Sequence, residues 1–158
     1  MERLWAPWRA EYVTGGTSGE CIFCAALTAG DDRARLVLAR DPLAFALLNA
    51  YPYASGHVMV AVTRHEGLYE ALTEDELAAI GRLSQRSIRA LQAALSPDGF
   101  NLGTNLGRVA GAGVEGHLHL HIVPRWNGDT NFMPVIGGVK VISHDLGTTY
   151  EALRPHFL

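Results

Sequence analysis

The segment Gly116-His117-Leu118-His119-Leu120-His121-Ile122-Val123-Pro124-Arg125 sets three histidines at alternate positions. A strand has period two, so His117, His119 and His121 would share one face, with Leu118, Leu120 and Ile122 turned into a core. Imidazoles titrate near neutrality and repel one another when charged, so such a row has a cost that folding alone does not require. Three readings follow. The row is a solvent-facing strand rich in histidine; it is a three-histidine metal site, because imidazole is a common zinc ligand; or it serves phosphorus chemistry, with one ring as nucleophile and its neighbours holding charge and protons. The regular spacing argues against the first.

A second group with chemical potential is Cys21-Ile22-Phe23-Cys24, which holds both cysteines of the chain. In a reducing compartment a lone Cys-x-x-Cys points to a metal or redox site rather than a structural disulfide. It lacks the Gly-Pro between the cysteines and the preceding strand of a thioredoxin site. A zinc site would need two further ligands from elsewhere. Residues 107–116, just before the histidine row, hold four glycines, and such a loop can turn backbone N–H groups toward an anion.

The elements that must position these groups are legible in part. Leu36–Ala39 and Ala44–Leu48 are apolar runs split by Asp41-Pro42, a hairpin pattern. Residues 49–56 are turn chemistry, and His57–Val62 reads as a third strand ending at Thr63-Arg64-His65. Thr73 and Glu76 form a capping box that opens a long helix, with Leu77, Ile80, Ser84, Ile88, Leu91 and Leu95 as its stripe and Pro97-Asp98-Gly99 as its stop. Phe100–Leu106 reads as a strand with a polar face. Val139–Ile142 is read as a short strand, and Tyr150–Leu153 as a last helical turn. Strands, one long helix and further strands predict an α+β fold with an antiparallel sheet.

The 158 residues are 48% hydrophobic, enough for one domain around one substantial core. We divide it into an arm (1–19, with Trp5 and Trp8 as packing or dimer-contact anchors), a core (20–126) and an extension (127–158). The formal net charge of −3 leaves no basic excess for gripping a nucleic-acid polymer. No apolar run is long enough to span a bilayer, and the first nine residues lack the apolar core of a signal peptide. The expectation is a cytoplasmic protein with neither a membrane nor a nucleic-acid partner.

His117-Leu118-His119-Leu120-His121-Ile122-Val123 resembles the signature of the histidine triad superfamily. Asn49, Gly56-His57-Val58-Met59-Val60 and the stretch Gly99–Gly107 with Asn105 extend that resemblance over roughly residues 20–126. The Trp-Ala-Pro-Trp start and Gly-Asp-Thr-Asn-Phe-Met are similar to a bacterial subgroup that includes diadenosine tetraphosphate phosphorylases. The resemblance implies a five-stranded antiparallel sheet with one long helix and a short C-terminal helix, paired into a two-fold dimer. It implies an enzyme, a hydrolase or nucleotidyltransferase, acting at the α-phosphate of a purine nucleotide or dinucleoside polyphosphate through a nucleotidyl-histidine. His119 would be the nucleophile. His121 and His57 would line the phosphate, Asn49 would contact the ribose, and Asn105 with Gly111 and Gly113 would contact phosphate. Relatives with Cys-x-x-Cys bind zinc through two histidines that match His65 and His117, so Cys21, Cys24, His65 and His117 would hold a structural zinc.

Two departures from the family pattern stand out. Many members carry Gly-Gln-Ser or Gly-Gln-Thr before the triad, where this chain has Gly111-Ala112-Gly113-Val114-Glu115-Gly116, leaving backbone N–H groups, or Thr104 and Asn105, as donors. This argues against carrying over the substrate of the phosphoramidate-cleaving members. Second, His121 stands where uridylyltransferase and phosphorylase branches often have Gln, which leans toward water as acceptor while leaving inorganic phosphate open. Phosphorolysis is therefore one alternative function, and a nucleotide-binding scaffold without turnover is another.

Overall fold

The computed structural model describes residues 20–132, 136–137 and 142–157. The arm with Trp5 and Trp8, and positions 139–141 of the strand expected at Val139–Ile142, lie outside them. Ile22–Thr28 forms a short helix (α1) that no sequence pattern announced. Val37–Arg40 (β1) and Ala44–Leu48 (β2) pair antiparallel as the expected hairpin, and Val58–Val62 (β3) pairs antiparallel with β2. Glu74–Leu95 is the long helix (α2). Gly99–Gly103 (β4) and His119–Arg125 (β5) complete a five-stranded sheet of order β1-β2-β3-β5-β4, with neighbours antiparallel throughout. Leu146–Leu153 (α3) begins earlier than the expected turn, because the Asp145 side chain caps it through the Thr148 N–H.

Strands β2 and β3 contain no polar residue and are buried along their whole length. Runs like these belong in the middle of a sheet covered on both faces. On one face α2 and α3 pack on Ala46, Val60, Leu118 and Ile122. On the other, Phe23 and Ala26 of α1 cover Val37, Phe45, Leu47, Met59 and Ala61. The register places His119 beside Ala61 and His121 beside Met59, so the histidine row continues this second, smaller apolar face.

Helix α2 starts as expected. Thr73 Oγ1 accepts from the Glu76 N–H at 3.2 Å, and a Glu76 carboxylate oxygen accepts from the Thr73 N–H at 2.9 Å. Arg64 grips the same carboxylate with two bonds, at 2.9 and 3.0 Å. First this ion pair, then the Thr73 N–H, lower the Glu76 pKa to about 2. The helix stripe differs from expectation. Its buried centre is Ala79, Ile80, Leu83, Ser84, Ser87, Ala90 and Leu91, while Leu77, Ile88 and Leu95 are only half-buried. Small residues in the middle let helix and sheet approach closely, and the larger side chains are left to flank the contact.

Two glycines are required by close approach. Gly56, in the turn before His57, has φ +76°, and a Cβ there would lie 2.6 Å from Leu95 Cδ1. Gly67, two residues after His65, runs so close to the loop before β5 that a Cβ would lie 2.2 Å from the Glu115 carbonyl oxygen.

Candidate functional site

Cys21 is the N-cap of α1, and Cys24 sits on its first turn. His65 follows β3, and His117 lies two residues before β5 begins. Their donor atoms all lie within 4.8 Å of one another. Cys21 Sγ is 3.3 Å from His117 Nδ1, Cys24 Sγ is 3.3 Å from His65 Nδ1, and Cys24 Sγ is 3.6 Å from His117 Nδ1. Zinc–sulfur and zinc–nitrogen bonds of about 2.3 and 2.0–2.1 Å in a tetrahedron imply S···N edges of about 3.6 Å. The residues therefore fit a Cys2His2 zinc site. Burial, then the neighbouring Cys21, push the Cys24 thiol up, so a pair of thiolates at this spot needs a cation. His117 is prepared for the role. Its Nε2–H donates to the Val62 carbonyl at 2.7 Å, which leaves the Nδ1 lone pair facing the sulfurs. A bound zinc would tie α1, the end of β3 and the start of the histidine row together.

The backbone also sets the next ring. His119 Nδ1 lies 2.8 Å from the His117 carbonyl oxygen, which can only accept, so Nδ1 carries the proton and the Nε2 lone pair is free. Burial pushes the pKa of both rings below their ordinary 6.5, with their carbonyl hydrogen bonds acting in the opposite sense. Both are thus neutral at pH 7. Phe23, fully buried, lies against both, with ring centroids 5.0 Å from His117 and 4.7 Å from His119. Sequence reasoning missed this residue, although it stands between the two cysteines.

Beyond His119 the chain of rings continues. His121 Nδ1 lies 2.9 Å from His57 Nε2, and His57 Nδ1 accepts from the Tyr53 N–H at 3.1 Å. His57 is fully buried, so its contact with the open cleft runs through His121. A small pocket brings Asn49, Gly111 and Gly113 together with His119 and His121. On the far side of His121 opens a cavity of about 580 Å³, whose lining includes Asn105, Asn101, Arg125 and Trp126. Asn105 also holds the glycine loop, its Nδ2 donating to the Gly111 carbonyl at 3.3 Å. Thr104, considered above as a replacement donor, gives its hydroxyl to the His119 carbonyl at 2.8 Å and lies toward α2, so it is not available to phosphate.

With this geometry in place, comparison with known proteins is informative. The family model described as the HIT domain matches residues 32–128. The chain is similar to the AP-4-A phosphorylase of Mycobacterium tuberculosis, 40% identical over 161 residues, covering 97% of this chain and 83% of that protein. Among solved structures it is similar to a Zn-bound histidine triad family protein from Mycobacterium smegmatis, with TM-score 0.71 and 27% identity over 89% of this chain and 95% of that one. It is also similar to a hypothetical histidine triad nucleotide-binding protein from Sulfolobus tokodaii, with TM-score 0.66 and 30% identity over 87% and 89% of the two chains.

Proposed function

The chain belongs to the HIT domain family, and from that premise we propose that it is an enzyme that moves a nucleotidyl group from a dinucleoside polyphosphate to His119 and then to an acceptor. The observation that carries this reading is the His119 ring, buried and neutral, with its Nδ1–H bound to a backbone carbonyl and its Nε2 lone pair free. A neutral imidazole fixed this way is a competent nucleophile toward phosphorus. As the bond to phosphorus forms, positive charge develops on the ring, and the His117 carbonyl stabilises it. Asn49 binds the ribose; Asn105 and the backbone of Gly111 and Gly113 bind phosphate. His121 stabilises the charge developing on the phosphoryl oxygens. The relative named AP-4-A phosphorylase supports a dinucleoside polyphosphate as substrate, and the cleft continuing past His121 gives the departing half room. Inorganic phosphate and water are the two acceptors in play.

The proposal extends to the assembly and setting. β4 is an edge strand, Leu102 on it is 48% exposed, and an apolar groove between α2 and β4–β5 includes Ile80, Ile88, Leu102 and Leu120. A second copy pairing along this edge would give the two-fold dimer. We retain the division into arm, core and extension, and the cytoplasm as the setting.

The test is incubation with diadenosine tetraphosphate, with and without inorganic phosphate, with products identified for the wild type and for His119→Ala. ADP and ATP formed only with phosphate mark a phosphorylase, and AMP formed without it marks a hydrolase. Turnover that survives unchanged in His119→Ala rejects the mechanism.

A further inference from the structure

The chain of ring nitrogens behind His119 fixes how many protons the site can move. The Tyr53 backbone N–H can only donate, so the His57 Nδ1 it meets must be a lone pair. The Asn49 amide nitrogen approaches the same atom at 3.4 Å and also donates there. The neutral His57 ring then carries its proton on Nε2 and gives it to His121 Nδ1 at 2.9 Å. His121 in turn carries its proton on Nε2. It therefore presents an N–H to the cleft and no lone pair. To release that proton His121 would have to become an anionic imidazolate, or pull the proton from His57 and leave the anion there. Neither ring can take up an extra proton, because both Nδ1 positions are filled by donors.

We infer that His57 is a positioning residue that locks His121 as a fixed hydrogen-bond donor, so that the site transfers nucleotidyl groups only between partners that need no proton given or taken. The inference rests on the reading of His119 as nucleophile. In the first step the His119 Nε2 lone pair forms a bond to the α-phosphorus. The bond from phosphorus to the bridging oxygen breaks, and its electron pair leaves on that oxygen. A polyphosphate departs as the anion it already is at neutral pH, and no proton is required. An amine leaving group, as in a phosphoramidate, would need one. In the second step an oxygen of inorganic phosphate attacks, and the bond to His119 breaks with its pair returning to Nε2. The attacking oxyanion has no proton to lose. Water would have to lose one, and the rings offer no lone pair to receive it. The donor geometry thus selects a nucleoside polyphosphate as leaving group and inorganic phosphate as acceptor.

The test compares wild type, His121→Ala, His121→Gln and His57→Ala on diadenosine tetraphosphate with inorganic phosphate and on adenosine 5′-phosphoramidate. Glutamine supplies an N–H donor and no acid. Loss of a fixed donor costs about 100-fold or more, so His121→Ala should fall that far, while His121→Gln stays within about 10-fold of wild type. Wild-type kcat should show a solvent deuterium isotope effect near unity. Wild-type kcat/KM on the phosphoramidate should be lower by about 100-fold or more, the size of a missing general acid. In His57→Ala the freed His121 Nδ1 can hold a second proton, so the ratio of phosphoramidate to anhydride turnover should rise. His57 is fully buried, and if that variant does not fold, the His121 pair and the isotope effect still decide. The inference is overturned alone if wild type turns over the anhydride yet His121→Gln falls as far as His121→Ala, or the isotope effect is well above unity, or the phosphoramidate is cleaved as fast. If wild type leaves the anhydride untouched, the nucleophile reading falls and takes this inference with it.

Discussion

His117 and His119 stand two residues apart, both buried and both held below their ordinary pKa, yet the fold uses opposite edges of their rings. His117 gives its Nε2–H to Val62 and turns Nδ1 to the sulfurs; His119 gives its Nδ1–H to His117 and keeps Nε2 for the pocket. One residue type at one spacing thus yields a metal ligand and a nucleophile. The carbonyl that each ring finds decides which. The two roles are also joined, since the His117 main chain orients His119 and Phe23 packs on both.

The comparison can be broken most sharply by removing each ring. His119→Ala should lower nucleotide turnover by at least about 1,000-fold while metal content, read by elemental analysis, stays at the wild-type level. His117→Ala should do the reverse first: metal is lost, thermal unfolding moves down, and activity falls as a consequence. If His117→Ala retained full metal content, the Cys2His2 assignment would be wrong. Phe23→Ala removes the fully buried ring shared by both sites and should cost about 3–5 kcal/mol in urea unfolding. Phe23→Leu should recover most of that stability yet leave kcat low, because a branched side chain does not supply the flat face on which His119 rests. Equal recovery of both would make Phe23 a packing residue only.

Gly67→Ala sharpens the metal half. The added Cβ collides with the Glu115 backbone, which cannot swing away as a side chain could, so His65 must shift relative to His117. A loss of about 10–100-fold in zinc affinity by competition with a chelator is expected, the size seen when ligand support is disturbed. The smallest effect is at Glu76. Its carboxylate, ordinarily titrating at 4.5, is held down to about 2, first by Arg64. A depressed carboxylate pKa adds stability above pH 4.5 that is lost as pH falls toward 2. Glu76→Gln should therefore lower stability by about 1 kcal/mol near neutrality and flatten its dependence between pH 4.5 and 2, measured by urea midpoints.

The sheet, the long helix and its capping box were readable because periodicity and end signals extend over many residues, as in Ala44–Leu48, Val58–Val62 and Thr73–Glu76. The four metal-site donors were reached by resemblance, and the structure brings them together. Helix α1 was not readable, since seven residues carry too little periodicity and an isolated helix of that length is marginal without tertiary contacts. The helix stripe was misplaced because Ser84 and Ser87 are buried, and small polar residues do not register as apolar. The tautomers were invisible for a different reason. They are set by the backbone of Val62, His117 and Tyr53, and every residue type offers the same carbonyl, and nearly every one the same N–H.

The central claim is that the backbone assigns opposite nitrogens to His117 and His119. Long-range proton–nitrogen correlation spectra of the nitrogen-labelled protein at neutral pH read this directly. The account predicts His119 with its proton on Nδ1 and a bare Nε2, and His117 with its proton on Nε2 and an Nδ1 signal that shifts when zinc is added or removed. Finding the proton of His119 on Nε2 would leave no lone pair facing the pocket and would contradict the account at its base.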